Sequence, residues 1–107
     1  MMSSTNDTVL EEIVLRLVKG SQVERIYLFG SQASGQAGPG SDIDLLVVVP
    51  GSDLPRHKRE AGFYDLLWGL TTPGDVIVFT RAEFQRAAQV KTSLAATAKD
   101  KGIILYG

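Results

Sequence analysis

Residues Leu28–Val49 read "LFGSQASGQAGPGSDIDLLVVV". The second half of this stretch places two carboxylates, Asp42 and Asp44, at the head of the unbroken apolar run Leu45-Leu46-Val47-Val48-Val49. A run that is apolar on both faces of a period-two pattern predicts a strand over 42–49, central in its sheet. An isolated charge beside such a run is costly unless it is paired, hydrogen-bonded or bound to a metal. Alternation along a strand points Asp42 and Asp44 the same way, roughly 6 to 7 Å apart along the backbone. Both can reach one site.

Upstream, "VERIYLF" (23–29) is rich in β-branched and aromatic residues and ends at Gly30-Ser31, a strand meeting a turn. The Gly- and Pro-containing "QASGQAGPGS" that follows leaves room for one short helix and a loop. Before this strand, Thr8 with Glu11 matches a capping box, Leu10, Ile13, Val14 and Leu17 fall at helical spacing, and Gly20 is a C-terminal stop. Downstream, "PGSDLP" breaks the chain, and Phe63, Leu66, Leu67 and Leu70 predict a helix over 56–70. Thr72-Pro73-Gly74 makes a turn into "DVIVFT" (75–80), a third strand. Thr80 with Glu83 is a second capping box, opening a helix near 81–90, and the alanine-rich "TSLAATAKDKG" gives a last helical stretch before a short "IILYG". The order is α, β, short α, β, α, β, α. It predicts a small α/β or α+β domain, a sheet covered by helices, with the whole of 1–107 as one domain.

Composition narrows the chemistry. Eleven basic against twelve acidic residues give a net charge of -1, so charge does not support a nucleic-acid partner. The chain has no cysteine and one histidine, His57, which rules out thiolate sites and histidine clusters; a metal here is held by hard oxygen ligands. The N-terminal segment is polar and then amphipathic, and no apolar run approaches the ~20 residues of a membrane helix. A soluble, cytoplasmic protein without membrane contact is expected.

Asp75 stands at the head of the third strand in the position that matches Asp42 and Asp44 at the head of the second, directly after a glycine turn and before "VIVF". If the two strands are neighbours, three carboxylates converge at one end of the sheet. Such a cluster repels itself unless a cation neutralises it, and the cations that suit carboxylate, water and phosphate oxygens are Mg²⁺ or Mn²⁺. Two ions ~3.5 to 4 Å apart are the arrangement that serves phosphoryl and nucleotidyl transfer. Gly30 lets backbone approach a ligand closely, and Ser31 adds a hydroxyl donor at the start of a helix whose free N–H groups face an anion. Taken singly, Asp42 and Asp75 suit turns, and Gly-Ser says little. Their combination at consecutive strand ends favours a site for metal and nucleoside triphosphate. Elsewhere, "LPRHKRE" around His57 reads as the solvated start of a helix, and Phe63 and Trp68 as core or interface residues. Arg81, Arg86 and Lys91 could reach a triphosphate, but surface solubility accounts for each. No Gly-x-x-x-x-Gly-Lys occurs, which excludes a P-loop.

The stretch Leu28–Val49, with "GDVIVFT" after it, resembles the minimal nucleotidyltransferase family of the DNA polymerase beta superfamily, in which Gly-Ser, a spacer, Asp-x-Asp and a third Asp recur. The likeness covers Tyr27 to Thr80, and the closing "GIILYG" is also typical of the family. It implies a mixed sheet flanked by helices and a Mg²⁺-dependent transferase of a nucleoside monophosphate, most simply AMP from ATP. Asp42 and Asp44 would hold a pair of Mg²⁺ or Mn²⁺ ions together with Asp75, which would also activate the attacking hydroxyl. Gly30 and Ser31 would hold the triphosphate. The family commonly has arginines where this chain has Gln32 and Ser34, which removes two cations from the phosphate site unless Arg56, Lys58, Arg81 or a partner supplies them. The resemblance further implies an antitoxin that modifies a hydroxyl of a small helical partner of the HEPN type, within a hetero-oligomer. The competing expectation is a weak or inactive subunit of the same fold that neutralises or assists its partner by binding alone. An Asp-x-Asp glycosyltransferase is a third reading, and the chain is short for one.

Overall fold

The computed structural model describes residues 5–29, 44–69 and 75–107. Among them are four helices, α1 (Thr5–Gly20), α2 (Arg56–Leu66), α3 (Arg81–Ala88) and α4 (Leu94–Lys101), and four strands, β1 (Arg25–Phe29), β2 (Asp44–Val49), β3 (Asp75–Thr80) and β4 (Ile103–Tyr106). The strands form one sheet in the order β3-β2-β1-β4. β2 runs parallel to β3 and antiparallel to β1, which is antiparallel to β4, so the sheet is mixed and the fold is α+β.

The apolar run expected to be central is central: Leu45 to Val49 are all buried, with a strand on either side. Alternation divides them between two cores. Leu45, Val47 and Val49 join Ile26, Leu28, Val76 and Val78 beneath Ile13 and Leu17 of α1 and Phe63 and Leu67 at α2. Leu46 and Val48 join Tyr27 on the other face, under Phe84 of α3 and Ala95 and Ala98 of α4. Tyr27 and Phe84 stack with ring centroids 5.5 Å apart. Each of the fully buried β2 side chains is worth about 1.5–3 kcal/mol in removed apolar surface, which fixes the strand's register.

Local signals place the helices with small differences. Thr80 caps α3 as expected: its hydroxyl accepts from Glu83 N–H (3.2 Å) and the Glu83 carboxylate accepts from Thr80 N–H (2.9 Å). α1 starts at Thr5, ahead of the Thr8 that the capping pattern marks, and α2 ends at Leu66 rather than 70. The expected short helix after Gly30-Ser31 lies outside the described residues. "IILYG" contributes β4, which pairs Ile103 with Leu28 and Ile104 with Tyr27.

The chain passes from α4 into β4 at Gly102, where a Cβ would overlap the carbonyl oxygen of Ala98 and meet that of Leu28. Both are backbone atoms of ordered elements, so Gly102→Ala is expected to cost about 1–3 kcal/mol, read as a lower midpoint in urea with an unchanged slope. An unchanged midpoint would contradict this close packing.

The β3 edge of the sheet is closed by side chains. Three alternate N–H groups that face away from β2 each meet an acceptor: Val76 N–H donates to the Tyr64 hydroxyl (2.9 Å), Val78 N–H to Glu60 Oε2 (3.1 Å) and Thr80 N–H to Glu83 Oε1 (2.9 Å). Arg59 completes the seal. The segment read as a solvated helix start holds His57 in solvent but buries Arg59, which donates Nη1 to the Val78 carbonyl (3.0 Å), Nε to the Leu54 carbonyl (3.0 Å) and both Nη atoms to Glu83 (2.8 and 3.0 Å). The two Arg59 bonds, followed by the Thr80 N–H, hold the Glu83 carboxyl down at about 2 against 4.5 for an unperturbed glutamate. A carboxyl lowered in the folded state stabilises above its unfolded value and loses that contribution as pH falls. The thermal midpoint is therefore expected to drop as pH is taken from about 4.5 to about 2, and Glu83→Gln to flatten that drop. A variant as acid-sensitive as the parent chain would refute the assignment.

Candidate active site

The register of the sheet aligns Phe29, Asp44 and Asp75 in one row across β1, β2 and β3. Asp44 and Asp75 are the first residues of two parallel neighbours and are direct register partners. Neighbouring strands lie about 4.8 Å apart, and paired residues project from the same face. The two carboxylates therefore stand side by side on the face that carries Leu46, Val48 and Phe84. Asp44 is half-buried and Asp75 exposed. Below them the row rests on packed apolar side chains, so their separation is set by strand spacing rather than by loop conformation.

The neighbour relation of the second and third strands, on which the convergence of Asp44 with Asp75 depends, holds in the structure. Asp42, Gly30 and Ser31 lie outside the described residues, as do Gln32 and Ser34. Among the described residues no group of three or more ligating side chains forms a metal cluster; Asp44 and Asp75 are two members of the set expected from sequence. Two adjacent carboxylates with hard oxygen donors fit a divalent cation, which would neutralise both.

The cations named as substitutes for the missing arginines are elsewhere. Arg81 follows the last residue of β3, about 20 Å along the strand from Asp75, and is bonded through Nε (3.0 Å) and Nη2 to Glu24, which lowers the Glu24 pKa. Arg56 lies over the Phe79 ring, 5.6 Å from its centroid, and Lys58 lines a cleft of about 360 Å³ with Val49 and Gly51 at the far end of β2. All three are at the end of the sheet opposite the carboxylates. The topology instead brings Lys101 to the carboxylate end: it precedes Gly102 and Ile103, and Ile103 pairs with Leu28 beside Phe29. Sequence spacing could not show this, because the link runs through a strand of four residues. Tyr64 is the other residue that spacing missed; its hydroxyl on Val76 N–H fixes the strand next to Asp75. Trp68, read as core or interface, is 85% exposed, whereas Phe63 is core.

The chain matches the family model of the nucleotidyltransferase domain over residues 8–105. It belongs to that family. The crystal structure of a candidate nucleotidyltransferase from Sulfolobus solfataricus shares the fold, with a TM-score of 0.56 over 92% of this chain and 74% of that one, at 23% identity. Over 45 residues the chain is 51% identical to the poly(A) polymerase PAPa of Candida albicans (strain SC5314 / ATCC MYA-2876). That stretch is 42% of this chain and 8% of the polymerase. Among the described residues no helix is long and apolar enough to cross a membrane.

Proposed function

We propose that the chain transfers a nucleoside monophosphate, AMP from ATP, to a hydroxyl of a partner protein. The observation that carries this reading is the parallel register of Asp44 and Asp75 on one sheet face, within a domain of the nucleotidyltransferase family. The local likeness to a poly(A) polymerase favours the adenine nucleotide. Asp42, Asp44 and Asp75 would hold Mg²⁺, which when bound neutralises the triphosphate and polarises the α-phosphate. Gly30 and Ser31 bind the triphosphate through backbone N–H and hydroxyl donors. Asp75, the more exposed of the two described carboxylates, takes the proton from the acceptor hydroxyl. The hydroxyl oxygen forms a bond to the α-phosphorus, the bond from that phosphorus to the bridging oxygen breaks, and pyrophosphate leaves. The partner is a small helical protein of the HEPN type, silenced by the modification, and the two form a cytoplasmic hetero-oligomer. The whole of 1–107 serves as one catalytic domain.

Intact-mass spectrometry of the proteins that copurify with the chain from its host, before and after Mg²⁺ and each nucleoside triphosphate, tests this. A partner that gains one or more nucleoside monophosphates, and gains none with Asp44→Asn, supports the transferase. A stable complex with no mass gain under any triphosphate contradicts it and favours a subunit that acts by binding alone.

A further inference from the structure

The two edges of the sheet are treated in opposite ways. β3 has its outward N–H groups capped by Tyr64, Glu60 and Glu83, so no strand can add there. Among the described residues β4 is the other edge; it carries neither a charged residue nor a proline among Ile103–Tyr106, and its register against β1 shifts once, between Ile26 and Tyr27. Its side chains are largely in solvent, Ile103 at 45%, Ile104 at 52% and Tyr106 at 38% exposure. An open apolar edge of this kind is a template for a further strand. Beside it, Leu105 and the α1 residues Leu10, Glu11, Val14 and Leu15 line an apolar groove of about 390 Å³.

The α1 sequence indicates what covers this edge. Glu11, Leu15 and Lys19 recur at intervals of four and form one exposed stripe, with acid at one end, base at the other and an exposed leucine midway. A twofold axis at Leu15 sets Glu11 against Lys19 of a second helix, and Lys19 against its Glu11, so the stripe is complementary to itself in antiparallel orientation. A strand pairing antiparallel with its own copy has a twofold axis perpendicular to the sheet. That axis keeps α1 and its copy on the same face. The same operation satisfies the edge and the stripe.

We propose that β4 pairs antiparallel with β4 of a second copy of this chain, giving a continuous eight-stranded sheet with the two α1 helices packed across the axis through Leu15. The assembly closes at two copies because the β3 edges left outside are blocked. The twofold turns the two Asp44–Asp75 rows to opposite ends of the joint sheet, with five strand spacings, about 24 Å, between the two β2 strands. Each row stays open to substrate.

Sedimentation equilibrium of the purified chain at high micromolar concentration tests the interface. The wild type is expected at twice its 11.6 kDa monomer mass. Ile104→Lys and, independently, Leu15→Lys are expected to return the monomer, each with a folded circular-dichroism spectrum since both positions are about half in solvent. Glu11→Lys is expected to weaken the dimer roughly threefold to tenfold, and its combination with Lys19→Glu to restore it. A wild-type monomer at every concentration would overturn the proposal, as would a dimer that persists in both lysine variants or a charge swap that restores nothing. A monomer that dimerises only after a foreign strand-forming peptide is added would assign the edge to another protein and equally overturn it.

Discussion

Asp44→Asn is expected to slow nucleotidyl transfer by at least about 10³-fold while the protein stays folded. The substitution keeps the size of the side chain and removes its charge. The strand it heads is held by five buried residues that do not depend on the carboxylate, so the expected loss of stability is small. What is lost is one of two oxygen donors that the β2–β3 register sets side by side. Asp75→Asn removes the neighbouring donor and, in the proposed reaction, the proton acceptor as well, and is expected to cost on the order of 10² to 10⁴-fold, again with little change in stability because Asp75 is exposed. Pyrophosphate release with saturating ATP and the copurified acceptor protein, alongside a thermal melt, separates the two quantities. A variant as active as the wild type would remove Asp44 from the site; one that fails to fold would make the carboxylate structural.

The largest stability effect is expected at the other end of β3. Arg59→Met replaces a buried guanidinium by an apolar side chain and deletes four hydrogen bonds: two to the Glu83 carboxylate and one each to the Leu54 and Val78 carbonyls. Breaking a buried ion pair from one side costs 3–5 kcal/mol, and Glu83 keeps part of its surface in water, so about 3 kcal/mol is expected. For a domain of this size that lowers the thermal midpoint by about 10 °C or more. Arg59→Lys is expected to recover little, since an ammonium cannot span both carboxylate oxygens and two carbonyls. Glu83→Gln in the Arg59→Met background should add less than it costs alone, because both changes remove the same pair. Full additivity would show that Arg59 acts through the carbonyls only.

These two predictions draw on different parts of what the sequence discloses. The Leu45–Val49 run, the aspartates at the strand heads and the Thr80–Glu83 box are local patterns, and each states its structural consequence within a few residues. The position of β2 inside the sheet follows from its being apolar on both faces. Strand order and direction do not follow, and these decide whether Asp44 and Asp75 meet. β4 is too short for its alternation to register, and its strand character comes from pairing with β1. Arg59 is hidden for another reason: within "RHKRE" nothing distinguishes it from its neighbours, and the partner that buries it lies 24 residues on, already engaged in a cap. The cations suggested for the phosphate site fail on the same ground. Arg81 follows the Asp75 strand closely in sequence, but the strand's length carries it to the far end.

The central claim is that Asp44 and Asp75 together hold the metal that binds with the nucleotide. A titration of Mn²⁺, followed by its electron paramagnetic resonance signal, in the presence of a non-hydrolysable ATP analogue tests it without needing an acceptor. The wild type is expected to quench the free-ion signal saturably, beyond the quenching that the same concentration of analogue gives without protein. Asp44→Asn and Asp75→Asn are each expected to weaken that quenching at least about tenfold. Excess quenching beyond the analogue alone that is equal in the wild type and both variants, or absent from all three, would contradict the claim.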